Sequence, residues 1–159
     1  MADQYPILIL LFPLFAAVFV ALAGTKSDRF FLPLTLIGLG GSLLFAVLTQ
    51  GQVMANGPVE YFLGGWDTED KKPLGIGIQY IVDPINGLVL VLIPLIGLVT
   101  AIFSANRIAE ETNNKVALFY SLYLLLLTGL MGMSITADAF NLYVLLEVSS
   151  LTGYALVAM

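Results

Sequence analysis

In the stretch 141–154, NLYVLLEVSSLTGY, a single carboxylate, Glu147, interrupts residues that otherwise suit lipid or a packed helix bundle. Placed on a helix at 100° per residue, Tyr143, Glu147, Ser150 and Tyr154 fall at i, i+4, i+7 and i+11, within a stripe about 60° wide. One acid and three hydroxyls on one line is a set that can take up a proton and pass it on. Asn141 points to nearly the opposite side, and Asp138 stands where the helix begins. Glu147 lies about nine residues in, so ~13 Å along the axis, close to the middle of a bilayer. An ionised carboxylate at that depth costs several kcal/mol, so it protonates or finds a cationic partner. Every Lys and Arg of the chain sits in a loop or at the end of an apolar run. The partner, a mid-membrane lysine, must therefore come from another chain or another segment. The competing reading is a permanently protonated glutamate, hydrogen-bonded to a hydroxyl or carbonyl to hold helices together. Tyr143, Ser150 and Tyr154 have packing or interface roles as their competing reading, and Asp138 that of a helix cap beside a mouth open to cations.

Other chemistry is excluded by composition. With no Cys and no His, the chain builds no thiolate or imidazole metal site, haem ligation, disulfide or Ser-His catalysis. No phosphate loop or dinucleotide fingerprint occurs, and GIG at 75–77 is too short to count. The net charge of −5 comes with no basic stripe for nucleic acid. No cofactor is expected, and any redox chemistry belongs to a partner; the chain reads as a transporter subunit rather than an enzyme.

The elements that must hold Glu147 in place are membrane spans. Hydrophobic residues make up 59% of the 159 positions and charged ones 11%, against about a quarter charged in a soluble domain. The apolar residues come in runs long enough to cross a bilayer as helices. Five spans are expected in a single membrane domain, at 6–23, 30–49, 84–104, 116–135 and 139–158. The first ends in Ala21-Leu22-Ala23, like a signal-peptidase site, but it is longer than a usual signal core and no basic residue precedes it. It reads as an anchor. GLGG at 38–41 permits close helix contact. Asp83-Pro84 fits a cap followed by proline at the first helical position, and Pro94 falls near mid-span.

Between the second and third spans lies the long polar segment. VEYFLGGW and PLGIGIQYIVD flank DTEDKK, which predicts a surface β-hairpin over 59–82. Asp67, Glu69 and Asp70 read as a solvated turn, since Lys71 and Lys72 follow at once. Lys26, Arg29, Arg107 and Lys115 occupy the turns on one side, against Lys71 and Lys72 on the other. That bias places the former in the cytoplasm and the N-terminus outside a cell membrane.

TADAFNLYVLLEVSSLTGYALV, 136–157, resembles the stretch leading into the fifth helix of antiporter-like subunits: the D-type subunits of Mrp sodium/proton antiporters and their relatives in complex I and membrane-bound hydrogenases. YFLGGW…PLGIGIQYIVDPINGLVLVL resembles their surface hairpin and third helix. The resemblance covers almost the whole chain and is strongest for the Mrp D-type branch. It implies an all-α membrane fold, the N-terminal part of a fourteen-helix bundle with two inverted five-helix repeats. It also implies that Glu147 is the fifth-helix glutamate that pairs with a seventh-helix lysine. Asp138 matches the aspartate of a Thr-Gly-Asp turn in which Ala137 here replaces glycine.

The seventh-helix lysine and both broken helices of that fold would lie beyond Met159, so the expectation is a fragment, a truncated product or a split subunit completed by other membrane subunits. The function implied is a proton-translocating subunit of a multisubunit cation/proton antiporter, with protons and sodium as the ions moved. The alternatives are a scaffold, or an ion-pumping subunit of a redox or inorganic-carbon uptake complex.

Overall fold

Apolar runs bounded by Gly, Pro and charged residues set five helices and two short strands in the computed structural model, which describes residues 4–23, 30–63, 78–111 and 115–159. They are α1 (Tyr5–Ala23), α2 (Phe31–Asn56), β1 (Val59–Phe62), β2 (Gln79–Val82), α3 (Pro84–Glu111), α4 (Val116–Ile135) and α5 (Ala139–Val157). All five helices are long and apolar enough to cross a membrane. The expected turn at 67–72, with Asp67, Glu69, Asp70, Lys71 and Lys72, lies outside the described residues, as does the turn 24–29.

Two helices outrun the apolar stretches that predict them. α2 continues through TQGQVMAN to Asn56, and α3 through ANRIAEE to Glu111. Neither extension contains proline, and Ala, Arg, Gln and Glu are good helix formers, so the hydrogen-bonded ladder continues past the apolar edge. α3 contains Pro94 and α1 contains Pro13 within their helical spans. The cap expected at the start of α3 forms: Asp83 Oδ1 accepts from Ile85 N at 2.8 Å and from Asn86 N at 2.9 Å. Asn86 Oδ1 returns the bond by accepting from Asp83 N at 2.7 Å. Asp83→Ala is expected to destabilise the α3 start by about 1 kcal/mol, read as faster proteolysis at the β2–α3 junction.

α4 is the hub, packed against α1, α2, α3 and α5. In lipid, close backbone approach and hydrogen bonds hold helices together, because apolar contact gains little over hydrocarbon. Both devices are present. A Cβ on Gly38 would stand 2.5 Å from Ala16 Cβ, so α1 and α2 touch there at their backbones, and Gly41 faces the Phe12 ring. Gly40, in the same GLGG stretch, faces open space. Ser42 Oγ donates to Ile9 O at 2.8 Å, Ser121 Oγ to Ala17 O at 3.0 Å and Tyr123 Oη to Gly97 O at 2.9 Å, tying α2 to α1, α4 to α1 and α4 to α3.

β1 and β2 form an antiparallel pair in the register Val59↔Val82 to Phe62↔Gln79. The hairpin does more than lie on a surface. Tyr80 and Val82, on the same face of β2, are buried in the core cluster of Ile9, Leu10, Leu90, Met131 and Ile135, because alternate strand residues point the same way. A single bridge joins Tyr80 to Thr136, and Ala137 N donates to Gln79 O at 2.9 Å. The hairpin thus closes over the α4–α5 turn.

Candidate functional site

α5 starts where Asp138 adopts an extended backbone, φ −109° and ψ 127°. Its carboxylate accepts from Phe140 N at 3.3 Å and Asn141 N at 3.0 Å, so the side chain is engaged as a helix cap. Three residues on, Asn141 turns inward and is 6% exposed. Its Nδ2 donates to Thr136 Oγ1 at 2.9 Å and to Tyr80 Oη at 3.3 Å. Burial pushes the Tyr80 phenol above its ordinary pKa, an effect the Asn141 bond opposes and neighbouring Tyr61 reinforces.

The seam between α5 and α4 is built from small residues. A Cβ on Gly129 would run into Ser149 Oγ, and one on Gly132 would stand 2.8 Å from the Leu145 methyls. Ser149 and Thr152 donate to carbonyls of α5 itself, at 2.9 and 2.7 Å, which satisfies the hydroxyls inside the seam but adds no bond across it.

The opposite side of α5 carries the predicted stripe. Tyr143 is 65% and Tyr154 73% exposed, Glu147 is exposed between them and Ser150 is half-buried. The structure brings these four to one outward face, and sets Asp138 apart from them at the helix start. Glu147 sits at the ninth of the 19 residues of α5, midway along the helix. Lys115 stands immediately before α4. Gly129 and Gly132 mark the level of Glu147 on α4, so Lys115 lies about 20 Å away along the helix. Among the described residues no three His, Cys, Asp or Glu side chains gather to hold a metal ion. Chemically, the face offers one carboxylate flanked by hydroxyls, able to bind a proton or a cationic side chain.

Sequence reasoning placed Asn141 away from the stripe but gave it no role, and it missed Tyr80. Their meeting joins positions 61 residues apart. The signal within reach was an amide on the side of a membrane helix opposite its polar stripe, which needs a buried partner.

No family model matches the chain. It is 37% identical, over 99% of its length, to NADH-quinone oxidoreductase subunit N of Desulforudis audaxviator, of which it covers 30%. It is 30% identical, over 75% of its length, to the D-type subunit of the Na(+)/H(+) antiporter of Alkalihalophilus pseudofirmus, of which it covers 22%. The identities therefore do not single out the D-type branch. Among solved structures, a chain of the archaeal membrane-bound sulfane sulfur reductase, a respiratory membrane complex, matches with TM-score 0.83 and 29% identity, covering 96% of this chain and 30% of that one. A chain of the Mrp complex from Dietzia sp. DQ12-45-1b matches with TM-score 0.77 and 27% identity, covering 97% and 27%. The chain spans about a third or less of these relatives' lengths. Its membrane helices, hairpin and matching relatives agree: it is homologous to the N-terminal portion of the antiporter-like subunits, the superfamily that includes NADH-quinone oxidoreductase subunit N and the D-type subunit of Mrp Na+/H+ antiporters.

Proposed function

We propose that the chain is a proton-translocating subunit of a multisubunit complex, in which Glu147 is the carboxylate half of a buried Glu–Lys pair. The observation that carries this reading is the placement of Glu147: mid-helix, facing outward from a bundle in which α5 packs chiefly on α4. A carboxylate at that depth requires compensation, and the open face of α5 leaves room for a helix of another subunit or segment to bring the lysine. Pairing favours the ionised acid; loss of the pair, by movement of either partner, favours its protonation. Alternation between these two states is a proton transfer step.

Tyr143, Ser150 and Tyr154 extend the polar face along α5 and would hydrogen-bond the water or side chains through which a proton reaches Glu147. Asp138 is engaged as a cap, which gives a direct prediction. Asn caps helices as well as Asp does, so Asp138→Asn is expected to keep transport within about twofold of wild type. A loss of tenfold or more in vesicles would assign Asp138 to the proton path instead. The proposed setting is the cell membrane, with the hairpin end and the N-terminus outside, on the bias of Lys26, Arg29, Arg107 and Lys115 over Lys71 and Lys72.

Two kinds of complex accommodate this role. The motif at 136–157 favours an Mrp-type cation/proton antiporter. The higher identity to an NADH-quinone oxidoreductase subunit and the higher TM-score against a respiratory complex favour a redox-driven pump. Co-purification separates them: iron–sulfur proteins accompany the chain in the second case, small all-helical subunits in the first. The proton role itself is tested by Glu147→Gln in the assembled complex, with proton-coupled cation efflux from inverted vesicles as the readout. Unaltered efflux at normal assembly removes it.

A further inference from the structure

Glu147 can act only if α5 presents it toward whatever completes the pair, and among the described helices α5 leans chiefly on α4, which leaves its rotation to be set by few contacts. The α4–α5 seam supplies shape but, among the described residues, no side-chain hydrogen bond crosses it. The bonds that leave α5 from a side chain are those of Asn141, to Thr136 at the end of α4 and to Tyr80 of β2. Both Asn141 and Tyr80 are more than nine-tenths buried, so water does not substitute for the bonds. Tyr80 is itself fixed, by the register of the hairpin, by the bridge to Thr136 and by the core beneath it.

We infer that Asn141 is a positioning residue: pinned by Tyr80 and Thr136, it sets the rotation of α5 about its axis and thereby the direction in which Glu147 points. The two side chains are six residues apart, about 9 Å along the axis and on well-separated sides of the helix, so a bond that holds Asn141 inward holds Glu147 outward. The hairpin, through Tyr80, becomes part of the device that aims the acid. This inference rests on the proton role of Glu147 for its functional consequence, though not for its structural one.

The chain has no native cysteine, which permits a ruler for the rotation. Ser149 Cβ lies 3.3 Å from where a Cβ on Gly129 would stand, near the separation that a disulfide spans. Gly129→Cys with Ser149→Cys, in the chain within its native complex, is oxidised with a membrane-permeant catalyst and followed by loss of free thiols. Adding Asn141→Leu is expected to slow crosslinking about fivefold, the equivalent of one net hydrogen bond. Tyr80→Phe, which removes one of the two bonds and keeps the core packing, is expected to slow it about twofold. In chains without the cysteine pair, both substitutions should lower proton-coupled transport in the same order while the subunit still assembles. Crosslinking that proceeds at the parental rate in both variants overturns the inference, whatever happens to transport. Slower crosslinking with undiminished transport upholds the positioning of α5 and instead removes the proton role of Glu147.

Discussion

Glu147→Gln is expected to lower proton-coupled transport by about a hundredfold, the lower end of what a positioned proton-transfer group contributes, while the complex still assembles. The amide has nearly the shape of the acid and no charge, so packing along the open face of α5 survives. What is lost is the ability to bind and release a proton and to attract a lysine. A neutral amide would also leave the proposed lysine partner without its counter-charge. Glu147→Asp keeps the titrating group but withdraws it by one methylene, so its transport should fall between wild type and Gln. Flux measured in inverted vesicles, normalised to the amount of assembled subunit, gives the comparison. A Gln variant that transports like wild type would mean that Glu147 is a neutral hydrogen-bonding group, and α5 a scaffold.

Gly38→Leu is expected to have the largest effect on folding. The atoms a side chain would meet are Ala16 Cβ at 2.5 Å, Phe12 O at 3.4 Å and Pro13 Cα at 3.6 Å from the new Cβ. A methyl, a carbonyl and a proline ring have no rotamer by which to yield. α1 and α2 must separate, and overpacking of this kind costs about 3 kcal/mol or more. Separation also withdraws the bond from Ser42 to Ile9 O. Gly40, two residues away in the same stretch, has nothing within 4 Å of its built Cβ, and Gly40→Ala should change stability by less than about 1 kcal/mol. Thermal aggregation of the detergent-solubilised complex should set the two variants apart. Equal stability would show that α1 and α2 do not meet at Gly38.

The contrast between Gly38 and Gly40 shows where sequence stops. GLGG announces close contact, yet which glycine makes it depends on the rotation of α2 against α1. The same holds at the hairpin. VEYF and QYIV are legible as strands from their β-branched and aromatic residues, whereas the burial of Tyr80 depends on which end of which helix lies beneath. At the site, the helical period alone groups Tyr143, Glu147, Ser150 and Tyr154. That their shared face points away from α4, with the amide of Asn141 pinned on the other side, is decided by contacts between residues far apart in the chain.

The sequence by itself determined the five helices long and apolar enough to cross a membrane that are found among the described residues, because runs of apolar residues satisfy their backbone in hydrocarbon only as helices. It also determined how far along α5 Glu147 stands, since the rise per residue is fixed and Asp138 marks the start of the helix. Tertiary structure decided direction: α4 as the hub, the hairpin closed over the α4–α5 turn, and the acid facing out of the bundle. Position along the axis follows from one helix alone, but direction requires a second surface to lean on, and that surface is assembled from segments remote in sequence.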